Sequence, residues 1–148
     1  MKIVIGADHG GFRLKKELVK FLRRKGHAVK DVGTFDEESC DYPAIGYEAA
    51  KLVGAGKFSR GILICKTGIG MSIVANKVKG VRAALCDRID VARSSREHND
   101  ANILVFAANI VSRNLAKKIL EVWLRTPSLG GRHGRRVEQI KKIERRGG

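Results

Sequence analysis

The stretch Gly61–Val78, GILICKTGIGMSIVANKV, does most to narrow what this chain can fold into. Ile62, Leu63, Ile64 and Cys65 run apolar without a break, as a strand does when both of its faces are covered, and that pattern belongs to parallel sheets. The chain then turns through Lys66-Thr67-Gly68-Ile69-Gly70, after which Met71, Ile73, Val74 and Val78 recur at helical spacing. A strand end, a glycine turn and a helix start therefore meet at one thiol. Open α/β sheets keep their ligand chemistry at such junctions.

Gly68 and Gly70 admit positive φ or close approach of a ligand, and the unpaired amides of the loop and first helical turn offer a site for an oxyanion. The same partial positive charge favours thiolate over thiol. Spacing alone fits Cys65 equally well as a base or nucleophile and as a small buried hydrophobe. The loop lacks the Gly-Lys-Ser/Thr ending of a nucleotide P-loop, and its glycines do not have the spacing of a dinucleotide fingerprint.

With 148 residues the expectation is one domain with a real core. Thirty Lys and Arg against fifteen Asp and Glu give a net charge of +15, which points to an anionic partner: nucleic acid, an acidic membrane surface or a phosphorylated small molecule. Aromatic residues make up 5% and no basic run is interleaved with them, which counts against single-stranded nucleic acid. Cys40, Cys65 and Cys86 have neither paired nor metal-ligand spacing, and an odd number argues against a disulfide framework, so a reducing cytoplasm is expected. Met1 leads straight into Ile3–Ile5, with no charged leader, apolar leader core or long apolar run, so neither export nor membrane spanning is expected. No His/Asp/Glu set has convincing ligand spacing, and no metal is expected.

Strands are expected at Lys2–Ala7, His27–Val32, Gly61–Cys65, Val81–Cys86 and Asn102–Ala107. Between them lie a helix carrying Leu14, Leu18, Phe21 and Leu22 and stopped by Gly26, one from Tyr42-Pro43 to about Val53, one after Gly70, and one over about Arg88–Arg96. Leu115, Ile119, Leu120 and Trp123 define a further helix that ends before Pro127. Such alternation predicts a Rossmann-like three-layer sandwich: a mostly parallel sheet of about five strands, helices on both faces, and an additional C-terminal helix. Asp8, His9, Cys65 and the segment before strand five are expected to converge on the carboxyl rim.

The tail, residues 125–148, should form a basic amphipathic helix with Val137, Ile140 and Ile143 on one stripe and Arg132, His133, Arg135 and Arg136 at its start. Cations there oppose the helix macrodipole, a cost that an anion would offset. The Gly130-Gly131 hinge ahead of them favours a phosphate clamp over a merely solvated helix.

Several motifs together resemble the type B ribose-5-phosphate isomerases and their relatives acting on allose 6-phosphate and galactose 6-phosphate. They are Asp8-His9, Asp41-Tyr42-Pro43, Gly61–Cys65 with Thr67-Gly68 and Gly70, Ala75-Asn76-Lys77, Arg96 with His98-Asn99 and Asn102, and Gly130-Gly131-Arg132-His133 with Arg136. The resemblance runs in register from about residue 2 to residue 143. It implies a cofactor-free aldose-ketose isomerase that opens a sugar ring and shifts a proton between adjacent carbons through a cis-enediolate. By position, Cys65 would be the base, with His98 and Thr67 moving protons during ring opening. The backbone of Lys66, Gly68, Ile69 and Gly70 would hold the enediolate oxygen, Asp8 and Asn99 would bind sugar hydroxyls, and His9, Arg132 and Arg136 would hold the phosphate. Tyr42 and Ser72 complete the candidate set, although an aromatic in the core and a helix cap are the plainer readings of the two.

The resemblance further implies a homodimer or homotetramer with shared sites, the 125–148 helix serving the neighbouring chain; neither nucleic acid nor membrane is an expected partner. Two positions depart from the family pattern. Lys66 replaces the usual glycine after the cysteine, and Asn109 stands where the pentose-phosphate enzymes usually place a phosphate-binding arginine, with Arg113 one helical turn later as the nearest compensating cation.

Overall fold

Each apolar run becomes a strand and each amphipathic stretch the helix that covers it. The computed structural model describes residues 1–147. In chain order β1 (Lys2–Ala7), α1 (Phe12–Arg24), β2 (Ala28–Asp31), α2 (Tyr42–Gly54), β3 (Arg60–Cys65), α3 (Ile69–Asn76), β4 (Ala83–Leu85), α4 (Ile89–Asn99), β5 (Ile103–Ala107) and α5 (Arg113–Arg125) alternate, and α6 (Gly131–Gly147) follows. The five strands form one sheet in the order β2-β1-β3-β5-β4, and every pairing is parallel. The expected five-stranded sandwich is the fold observed.

Side chains alternate across this sheet with period two. Ile3, Ile5, Ile62, Ile64, Leu104 and Phe106 pack under α1, α4 and α5, where Trp123 is fully buried. Val4, Leu63, Cys65 and Val105 face the other way, against α2 and α3. The sulfur of Cys65 therefore belongs to the α2–α3 layer, and its position in the strand decides that.

The departures from the expected boundaries are local. The edge strands β2 and β4 are each shorter than their apolar runs, and Val81 is taken by a turn in which its amide donates to the Val78 carbonyl at 3.1 Å. Helix α4 continues beyond Arg96 to Asn99, and Asp100 closes it in the left-handed conformation (φ 47°). The buried Arg96 fastens that corner, donating to Asp100 Oδ1 at 2.8 Å, the Ala101 carbonyl at 2.6 Å and the Thr126 carbonyl at 3.1 Å. Helix α6 forms as expected and packs on α4 through Val137, but Ile140 and Ile143 remain 44% and 67% exposed. Among the described residues no helix is long and apolar enough to cross a membrane.

A second buried cation ties a helix to the sheet. Lys15 is 1% exposed, and its Nζ donates to both oxygens of Asp31 at 2.6 and 2.8 Å and to the Thr34 carbonyl at 2.5 Å, tying α1 to the end of β2. Breaking a buried pair from one side leaves the other charge without its partner. Lys15→Met should therefore lower the unfolding free energy by about 3 kcal/mol, read from the shift of the urea midpoint at constant slope. An unchanged midpoint would show that the pair contributes nothing.

Candidate active site

The site starts from the pairing of β1 with β3. Ala7 lies opposite Ile64, so the residues that follow, Asp8 and Cys65, emerge side by side at the carboxyl rim. The Asp8 amide donates to the Ile64 carbonyl at 3.2 Å. Its own Oδ1 accepts the amides of Gly10 and Gly11 at 3.0 and 3.2 Å. Backbone donors thus orient the carboxylate through one oxygen, while Oδ2 accepts nothing among the described residues.

Cys65 is the last residue of β3 and is 5% exposed. It lines an open cleft of about 410 Å³ together with Asp8, His9, Tyr42, Thr67 and Gly70. Lys66, Ile69 and Ile73 complete the wall. Ile73 is absent from the set expected from sequence; its signal there was the spacing of four from Ile69 on α3, which also reads as ordinary core periodicity.

The turn after Cys65 is shaped by its glycines. Gly68 has φ 72°, and a Cβ there would collide with Leu85 and approach the Ala107 amide to 3.3 Å, so the loop is pressed against β5. The first hydrogen bond of α3 runs from the Ser72 amide to the Gly68 carbonyl at 3.0 Å. Thr67 Oγ1 accepts the Ile69 amide at 3.3 Å. The amides of Gly70 and Met71 have no acceptor among the described residues, as the first turn of a helix dictates. The Tyr42 ring lies directly on Gly70, where a Cβ would come within 2.5 Å of its Cζ, so tyrosine and helix start form one wall. Ser72 sits further along α3 and does not line the cleft.

His9 is fixed from the far side. Its Nδ1 accepts the Cys40 amide at 3.2 Å, so a neutral ring carries its proton on Nε2. Cys40 Sγ lies 4.0 Å from the same nitrogen, a contact no sequence spacing announced. Cys86 is fully buried, and burial pushes its thiol pKa up to about 11, which leaves it an inert core group.

The other half of the expected set lies elsewhere in the chain. Helix α4 descends from the carboxyl rim, so His98 and Asn99, at its end, sit beside the start of β5. Ile103 pairs with Gly61, four residues before Cys65, or about 13 Å along the strand at ~3.3 Å per residue. Convergence of the segment before strand five with Cys65 therefore does not occur within one chain, because in a parallel sheet whatever precedes a strand lies at the opposite rim. The segment after β5 comes to the cleft instead. Ala108 donates to the Cys65 carbonyl at 2.9 Å and Asn109 to the Lys66 carbonyl at 3.1 Å.

At the amino rim, the rings of His98 and His133 stack with centroids 4.2 Å apart and planes 11° from parallel. Leu129 donates to the Glu97 carbonyl at 2.9 Å, which holds the loop leading to α6. Desolvation, and then the positive fields of His98, Arg132 and Arg136, lower the His133 pKa from its ordinary value. Arg132 and Arg136 are exposed on the first turns of α6, in no ion pair among the described residues. Arg113, the nearest cation to Asn109 along α5, does not line the cleft. It turns toward Glu17, 3.9 Å away, and lines a separate groove with Arg13, Lys16 and Lys20. Among the described residues no three His, Cys, Asp or Glu side chains gather as a metal-ligand set.

Comparison with known proteins places this geometry. Residues 3–140 match the family described as Ribose/Galactose Isomerase. Ribose-5-phosphate isomerase B of Escherichia coli K12 is 47% identical over 145 residues, covering 98% of this chain and 97% of that protein. The structure of ribose-5-phosphate isomerase B from Clostridium thermocellum superposes with a TM-score of 0.98 at 50% identity, covering 100% of both chains. That of the Mycoplasma genitalium enzyme, solved with bound ribulose-5-phosphate, superposes with a TM-score of 0.94 at 37% identity over 97% of this chain and 96% of that one. A thiol, a backbone-fixed carboxylate and a run of free amides on one rim, with imidazoles and arginines on the other, are thus laid out on a shared fold, and the chain belongs to the ribose/galactose isomerase family.

Proposed function

We propose that this chain interconverts ribose 5-phosphate and ribulose 5-phosphate through a cis-enediolate, with Cys65 as the base. The observation that carries the reading is the placement of Cys65 at the end of β3, in a cleft whose wall includes the unpaired amide of Gly70, beside a carboxylate oriented by its own backbone. A proton beside a carbonyl needs a positioned base, which contributes about 10²- to 10⁴-fold. The developing oxyanion needs donors already aimed at it, each worth roughly 2.7 to 4 kcal/mol.

In the open-chain aldose the thiolate takes the proton from carbon 2, and the electron pair of that bond forms the carbon 1–carbon 2 double bond as the carbonyl oxygen gains charge. The same sulfur returns the proton to carbon 1, while the hydroxyl proton of oxygen 2 is transferred to oxygen 1, leaving the ketose. Amides of the Lys66–Gly70 turn hold the oxyanion. Asp8 orients hydroxyls through Oδ2, and His9, with Nε2 as donor, faces the phosphate. A phosphate held away from the reacting carbons fixes the sugar in place without entering the chemistry.

The groups proposed for ring opening and phosphate binding, His98 with Asn99, Arg132 and Arg136, occupy the far rim of the same chain. They serve the cleft of a second copy in a two-fold assembly. Exposed apolar side chains support this: Ile69 and Ile73 flank the cleft at 56% and 57% exposure, and Ile140 and Ile143 lie bare on α6. A second reading, in which another sugar phosphate such as allose 6-phosphate is preferred, is favoured by Asn109, a neutral side chain where the pentose-phosphate pattern has arginine.

With ribose 5-phosphate and a chelator present, the protein should form ribulose 5-phosphate. Cys65→Ala should lower kcat by about 10³-fold or more while retaining affinity for phosphate ligands. Full activity in that variant would remove the assigned base, and faster turnover of allose 6-phosphate would establish the second reading. Sharing between copies has its own test. Cys65→Ala and His98→Asn, each inactive alone, should recover about a quarter of wild-type activity after subunit mixing, because random pairing makes half of the dimers mixed and each of these has one intact site. No recovery after proven exchange would place both residues in service of the same chain's site.

A further inference from the structure

We infer that the ammonium of Lys66 is the cation that grips the substrate phosphate from this chain's side of the cleft, an inference that rests on the isomerase reading and specifies its anion subsite. Lys66 is the one Lys or Arg lining the cleft among the described residues; the other ionisable groups there are Asp8, His9, Cys65 and the Tyr42 phenol. Its backbone is fixed on both sides, by Cys65 at the end of β3 and by the Asn109 amide on its carbonyl at 3.1 Å.

The stem of this lysine has a built seat. A Cβ at Gly10 would fall onto Lys66 Cγ and lie 3.3 Å from its Cδ, so the methylenes cross the bare backbone of the turn that holds Asp8 and His9. Any side chain at position 10 would lift it away. The ammonium forms no ion pair and no hydrogen bond among the described residues. Its charge is therefore uncommitted at the edge of a ligand cleft.

The neighbours need that charge. His9, whose Nδ1 accepts the Cys40 amide, has only Nε2 left for a ligand; Asn109 carries no charge; and Arg113 is turned toward Glu17. Asp8 would repel a dianion placed among them. A lysine binds phosphate as a point charge on a flexible stem and does not require the bidentate geometry of arginine, which suits a head group reaching over a turn. The phosphate is remote from the bond changes, so this contact is made equally in the ground and transition states and appears in KM and not in kcat.

The test compares Lys66→Met, Lys66→Gly and Lys66→Arg with Lys57→Met, which removes the same charge from an exposed turn away from the cleft. For ribose 5-phosphate, Lys66→Met and Lys66→Gly should raise KM about tenfold with kcat within about twofold, Lys66→Arg should recover most of the loss, and Lys57→Met should change neither. Inorganic phosphate, titrated calorimetrically, should bind about tenfold more weakly to Lys66→Met than to the parent, whether or not the protein turns over. Equal phosphate affinity in the two, or a fall in kcat at constant KM, overturns the role of Lys66 and leaves the isomerase reading standing. Absence of all sugar-phosphate turnover in the parent, with phosphate binding still dependent on Lys66, overturns that reading and keeps the anion subsite.

Discussion

The proposed site depends on the parallel pairing of β1 with β3. The chain leaves β1 toward β2 on one side and continues from β3 toward β5 and β4 on the other, so the two loops at this seam diverge and leave a crevice at the carboxyl rim. Asp8 and Cys65 are neighbours because Ala7 and Ile64 are register partners, and the hydrogen bond from Asp8 to Ile64 continues that register beyond the sheet. A slip of one residue would move the sulfur to the α1–α5 layer, where it would be one more core atom.

The sheet also decides how the thiol is both buried and on the wall of the cleft. As the last inward-facing residue on the α2–α3 side, Cys65 has hydrocarbon behind it, with Leu63 and Met71 in the same cluster, and the cleft in front. Burial of Cys86 is complete and raises its pKa, whereas Cys65 sits where the α3 amides and the Tyr42 wall meet. Two thiols in one small α/β sheet thus differ in surroundings because of where their strands stop.

How much of this was legible before the structure follows the same physics. Doubly covered strands announce themselves as unbroken apolar runs, so β1, β3 and β5 and the helices between them were readable, and so was the turn from Cys65 to Gly70. Edge strands carry weaker runs and were read too long. The expected convergence of the segment before strand five with Cys65 failed within one chain for a reason the sequence did contain, since only segments that follow parallel strands reach the carboxyl rim, and that segment precedes β5. The long-range contacts were not readable at all. The Cys40 amide on His9, the Lys66 stem across Gly10 and the turning of Arg113 toward Glu17 are settled by packing between segments far apart in the chain, which no local spacing encodes.

The charge surplus has a structural meaning beyond its size. With 30 basic and 15 acidic residues, most carboxylates that form ion pairs do so away from the cleft: Asp31 with Lys15, Glu121 with Lys25, Asp100 with Arg82 and Arg96, Asp90 with Arg88. Lys66 at one rim and Arg132 and Arg136 at the other have no acidic partner among the described residues, and the first turn of α6 contains no acid to relieve the macrodipole. Such cations repel one another and their helix end until an anion arrives. In the proposed two-fold assembly, a phosphate dianion shared between the Lys66 rim of one copy and the α6 start of another would offset both costs at once, so the proposed substrate would also stabilise the assembly that completes its site.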